Sequence, residues 1–153
     1  MTVLYGMEFD VPGGEHASLI LPTNPEERSA LRAIESRFGK REAFPPDPSR
    51  NTKPRMIEAL RYMAALPQPP VLVGNHPSRT ATGKGAWGAH TPAELAVWQA
   101  AAPGVVIGME GAPGHQAAMP KHGLDAAHGS RGLYGGYPTL GGLDQMVAQL
   151  GGA

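Results

Sequence analysis

Apolar residues in this chain come in short runs that proline or glycine closes. Val71-Leu72-Val73, between Pro70 and the polar cluster Asn75-His76-Pro77-Ser78-Arg79, is too short for a helix and has no polar alternation. It predicts a strand covered on both faces, as in a parallel sheet. Pro77 has no N–H to donate and biases His76 towards an extended backbone, which ends the strand there. Residues 2–8, Thr-Val-Leu-Tyr-Gly-Met-Glu, predict an opening strand that ends in an acid. Ala17-Ser-Leu-Ile-Leu21 predicts a second, with His16 at its beginning and Pro22 at its close. Pro12-Gly13-Gly14 between them supplies a fixed φ and then two residues free to adopt positive φ, the composition of a turn. Val105–Met109 repeats the Val71 pattern as another buried strand and runs into Glu110-Gly-Ala-Pro-Gly-His115.

Elsewhere the apolar residues recur at helical spacing. Asn24-Pro25-Glu26-Glu27 carries an N-cap, a first-turn proline and an acid at the third helical position, and Leu31, Ile34 and Phe38 then form one stripe up to Gly39. Thr52 and Pro54 start a second helix with Ile57, Leu60 and Ala64 on one side. Thr91-Pro92-Ala93-Glu94 is a capping box leading into Leu95, Trp98 and Ala102, and Leu143, Met146, Val147 and Leu150 form a last amphipathic helix before Gly151-Gly152. Residues 40–53 read as loop. Residues 78–90, rich in glycine and hydroxyls, read as a surface loop able to order around a ligand. The element order predicts an α/β fold with a mostly parallel sheet, in which chemistry gathers just past the carboxyl ends of strands.

Composition narrows the chemistry. One domain of 153 residues is long enough to bury a core. Thirteen Lys+Arg balance thirteen Asp+Glu, which argues against a nucleic-acid face or an anionic membrane partner and favours a small or locally charged substrate. With no cysteine, His, Asp and Glu are the available metal ligands. No apolar run reaches membrane-spanning length, and the first residues lack the pattern of a signal peptide, so a complete chain would be cytoplasmic. Thirteen of the 21 glycines lie after residue 103, which predicts a loop-rich last third.

Gly6-Met-Glu8, Gly14-Glu-His16 and Asn75-His-Pro77, each at a predicted strand edge and in this order, resemble the middle of a metal-dependent phosphoesterase of the PHP (polymerase and histidinol phosphatase) family. The resemblance runs from about residue 3 to the last helix. It implies a distorted seven-stranded (β/α) barrel of the TIM-like kind that gathers divalent ions (Zn, Mn or Fe) at the strand ends. Glu8 matches the family's bridging glycine-x-glutamate carboxylate, His16 the next strand's histidine ligand, and His76 the histidine of its His-Pro motif. The family's opening His-x-His strand, its further upstream histidines and its closing Asp-x-His are not in this chain. The chain therefore reads as a partial barrel, a single domain truncated at both ends, with an uncovered apolar edge flanking the first strand and the last helix.

Two imidazoles and a carboxylate with open positions are the ligand set of a hydrolytic zinc, which lowers the pKa of its bound water and polarises a phosphoryl oxygen. The implied function is hydrolysis of a small phosphorylated substrate, a phosphate ester, through a metal-bound hydroxide. With ligands for one metal position of several, residues 1–153 alone are expected to show little or no turnover. The alternative is a non-catalytic remnant barrel or interaction module with weak or no metal binding, in which Glu8 is a surface carboxylate and His16 an exposed turn residue. Asp10 either orients an imidazole or bonds the local backbone. Arg79 suits a bidentate clamp on phosphate or a solvated loop position, and Glu110 and His115 either line the substrate pocket or stand exposed. Gly83-Lys-Gly85 lacks the spacing of a phosphate-binding loop. His90, His122 and His128 are expected at the surface, and Leu95, Trp98 and the methionines in packing.

Overall fold

In the computed structural model, which describes residues 3–77 and 90–110, a two-residue alternation sets the sheet. Strand β1 (Gly6–Asp10) reverses through residues 11–15 into an antiparallel β2 (His16–Ile20), with Phe9 opposite Ala17 and Asp10 opposite His16. β2 pairs antiparallel with β3 (Val71–Gly74), and β4 (Val106–Met109) follows, giving the order β1-β2-β3-β4. The Leu72 N–H donates to the Val105 carbonyl at 2.7 Å across the last of these junctions.

The expected partial (β/α) barrel with a mostly parallel sheet is overturned: the described sheet has four strands, is mostly antiparallel and is not closed. The physical reason lies in the first connection. A parallel pair needs a crossover of about a dozen residues or more, whereas residues 11–15 supply only a hairpin turn. Gly13 makes that turn possible, with φ of 69° and so little room that a Cβ would stand 2.6 Å from the Lys53 backbone nitrogen. β3 is likewise not covered on both faces, because Leu72 and Gly74 are buried while Val71 and Val73 are half-buried. A run of valines conceals that alternation from a reading by polarity. β4 departs from the expected buried strand in the same way, with Val106 buried and Ile107 exposed.

One face of the sheet is the core. Phe9, Ala17, Leu19 and Leu72 are fully buried there, and α1 (Glu27–Phe38) packs on β1. Leu31, Ile34 and Phe38 form the buried stripe of α1 that the spacing predicts. At its start Asn24 accepts from the Glu26 N–H through its side chain at 2.8 Å, and Glu27 accepts from the Asn24 N–H at 3.2 Å. Helix α2 (Lys53–Ala64) is capped by Thr52, as expected, but buries Met56, Ala59, Leu60 and Met63 rather than Ile57 and Ala64. The buried face is thus rotated by one position from the one expected, with two methionines on it. Val3, Leu4 and Tyr5, ahead of β1, are exposed.

The chain divides into two units: residues 1–75 with 97–108, which hold the first three strands, α1 and α2, and residues 76–96 with 109–153. In the second unit, the side chain of Thr91 accepts from the Glu94 N–H at 3.2 Å at the start of α3 (Pro92–Ala101). His90, expected at the surface, is fully buried. Its Nδ1 faces Glu94 Oε1 at 3.5 Å and its N–H donates to the Pro77 carbonyl at 3.2 Å, so a carboxylate one turn on accompanies the ring inward. Leu95, Trp98 and Ala102 are buried as their spacing predicts. The last predicted helix lies outside the described residues. Among those described, no helix is long and apolar enough to cross a membrane.

Candidate metal centre

The sheet's second face gathers the chemistry. Because side chains alternate, Glu8 and Asp10 of β1 share that face with their cross-strand partners Ser18 and His16 of β2. The imidazole of His16 lies among carboxylates: its Nε2 is 3.2 Å from Asp10 Oδ1, and its Nδ1 is 3.7 Å from Glu8 Oε1 and 4.0 Å from Glu15 Oε2. Asp10 thus faces one ring nitrogen at ion-pair distance, and the other is turned to Glu8. Arg41 Nη1 balances Asp10 from the loop after α1, at 3.4 Å.

His76 reaches the same rim from β3. The boundary between the two units falls on its peptide bond with Asn75, and Asn75 is fixed to β2. The Asn75 N–H donates to the His16 carbonyl at 3.0 Å, while its Oδ1 accepts from the Ser18 N–H at 3.1 Å and from Ser18 Oγ at 2.9 Å. One ligand atom each from Glu8, His16 and His76 then lies within 4.8 Å of the other two. Ligand pairs around a tetrahedral zinc stand about 3.4 Å apart, so side-chain adjustments on the order of 1 Å bring this trio to coordinating distance. The donor types suit zinc or manganese.

The backbone at His76 departs from the sequence expectation. Its φ is +32°, not extended, although a proline follows. The His76 N–H donates to Glu110 Oε2 at 2.7 Å, which is where the structure places the Glu110 carboxylate. Arg79 and His115 lie outside the described residues.

Three contributors were not apparent from sequence. Asn75 belongs to the quoted motif, yet its lock on Ser18 follows from antiparallel pairing alone. Arg41 and Lys40 sit in a loop with no periodicity. Lys40 donates its N–H to the Asp10 carbonyl at 3.2 Å and its ammonium to the carbonyls of Gly14 and Glu15, tying down the turn beside His16. Burial pushes the Lys40 ammonium pKa below its ordinary value, against the opposing pull of Glu15 and Asp10.

Comparison of the chain with protein-family models, with curated proteins and with solved structures gives no match.

Proposed function

We propose that Glu8, His16 and His76 hold one divalent cation and that this centre serves hydrolysis of a phosphate ester, in the manner of PHP-type hydrolases. One observation carries the reading: two imidazoles and a carboxylate, drawn from two strands and the second residue past a third, present ligand atoms within 4.8 Å of one another. The mostly antiparallel sheet gives the resemblance no support, so the reading rests on the site rather than on the scaffold. A cation held there lowers the pKa of coordinated water and polarises a phosphoryl oxygen. The protein's own part is to supply a half-exposed carboxylate and two rings, with the Asp10 carboxylate beside that of His16. The choice of ester is supported by the ordered trio of motifs.

Titration of the full chain with zinc or manganese tests the reading by calorimetry. The expected result is one ion per chain, with affinity reduced at least about 10-fold by His16→Ala and by His76→Ala. Turnover of an aryl phosphate should be slow, require the cation and disappear with His76→Ala. Binding without any cation-dependent turnover would favour the binding module instead. Absence of binding would remove the hydrolase and leave the module without a metal.

A further inference from the structure

We propose that Arg41 binds the phosphoryl group of the substrate at this centre, through the guanidinium donors that Asp10 leaves unengaged. This rests on the metal-site reading above. The guanidinium and the His16 ring meet at one atom, since Asp10 Oδ1 lies 3.4 Å from Arg41 Nη1 and 3.2 Å from His16 Nε2. Arg41 thus stands beside a candidate metal ligand, in the same compact unit as Glu8 and His16. The backbone on either side sets its place: the Lys40 N–H donates to the Asp10 carbonyl at 3.2 Å, and the Glu42 N–H donates to the Gly39 carbonyl at 3.2 Å. The root of the side chain is therefore held at the end of β1, while the side chain itself is 67% exposed and open to a ligand.

An anion approaching this face meets the carboxylates of Glu8, Asp10 and Glu15 around His16. A divalent ion at the trio offsets two of those charges, and a dianionic phosphoryl group then needs a further cation beside it. Lys40 does not fill that role, because its ammonium is part-buried and engaged by the carbonyls of Gly14 and Glu15. Arg41 makes its one ion pair through Nη1 and no other hydrogen bond among the described residues. A guanidinium presents five N–H donors in a planar fork, so the edge formed by Nε and Nη2 is left for two oxygens of one anion. An exposed pair with Asp10 alone adds little to stability, whereas the fork matches phosphate. Fork and cation together call on three non-bridging oxygens, which a phosphate monoester has and a diester lacks. Arg41 therefore favours the monoester.

The experiment loads the full chain with zinc and titrates it by calorimetry with phenylphosphonate, which carries three such oxygens, and with its monomethyl ester, which carries two. Zinc affinity is measured separately for the wild type, Arg41→Ala and Arg41→Lys. The wild type is expected to prefer phenylphosphonate. Arg41→Ala should weaken phenylphosphonate about 10- to 100-fold and narrow the preference, with zinc affinity changed less than about 5-fold. Arg41→Lys, which keeps the charge and loses the fork, should recover only part of the affinity. Unchanged phenylphosphonate affinity in Arg41→Ala would overturn the role of Arg41 and leave the metal site standing. A loss that only follows an equal loss of zinc would overturn it too, because Arg41 would then serve Asp10 and His16 rather than the anion. A wild type that takes up zinc without phenylphosphonate would overturn it together with the hydrolase reading, and one that takes up no zinc would overturn it together with the site beneath it. Should Arg41→Ala fail to fold, Arg41→Lys decides: weaker phenylphosphonate binding and a narrower preference at wild-type zinc affinity support the proposal, and wild-type values for both overturn it.

Discussion

Alternate residues of β1 and β2 go to opposite faces of one sheet, and the two faces depend on their residues differently. Phe9, Ala17 and Leu19 are buried in a layer where many side chains share the work of excluding water. Glu8, Asp10, His16 and Ser18 stand on the other face, where each group has a named partner at a stated distance. Stability resides mainly on the first face and chemistry on the second. A substitution on one should leave the other largely unmoved.

The largest effect expected from breaking this division is on the apolar face. Phe9→Ala removes a fully buried ring and leaves a cavity, at a cost of about 3–5 kcal/mol in urea unfolding. The folded fraction should still bind zinc, because the donors adjoining Phe9 keep their strand register. If affinity collapses while the chain remains folded, the faces are not separable. Next in size is Glu8→Ala, whose side chain is 62% exposed. It should alter stability by no more than about 0.5 kcal/mol and lower zinc affinity about 10-fold or more. A stability loss as large as that of Phe9→Ala would place Glu8 in the core's accounting after all.

The smallest effect concerns Lys40, which belongs to neither face but fastens the turn between β1 and β2. Its folded pKa lies below the ordinary 10.5, so just under that pH the unfolded chain binds more protons than the native one and stability rises with pH. Lys40→Met should flatten that alkaline rise and cost about 1 kcal/mol near neutrality for the lost carbonyl contacts. Urea midpoints across the alkaline range decide it. A variant that keeps the rise assigns the titration elsewhere.

The sequence was most legible where a single local signal decides the outcome. Leu31, Ile34 and Phe38 follow helical spacing into the core, Thr52 and Thr91 cap the helices they precede, and Leu95 and Trp98 are buried. Legibility failed where two distant segments decide together. The direction of β3 depends on which strand it meets, and three apolar residues in a row carry no information about that. The buried face of α2 is set by what packs on it, so Met56 and Met63 stand buried in place of the residues expected there. His76 shows the limit most clearly: its dihedral opposes its own neighbour Pro77, and its N–H is taken by a carboxylate 34 positions away. The residues of the candidate cluster, Glu8, His16 and His76, were visible as motifs. Their mutual distances were not, since these follow from an antiparallel sheet in place of the parallel one expected.

The short turn of residues 11–15 bears on how the centre comes into being in time. Closing a hairpin takes about 1–10 μs, and it suffices to set Glu8 and Asp10 beside His16. The Ser18–Asn75 contact that delivers His76 joins residues 57 apart, and closing that span costs about 2 kcal/mol more in chain entropy than closing the turn. The half of the centre built by β1 and β2 is therefore a local product, available early in folding, and the half brought by β3 arrives late. On the proposed reading, an ion present during folding would meet a two-donor cradle first and gain its third donor only when the helices between β2 and β3 have condensed.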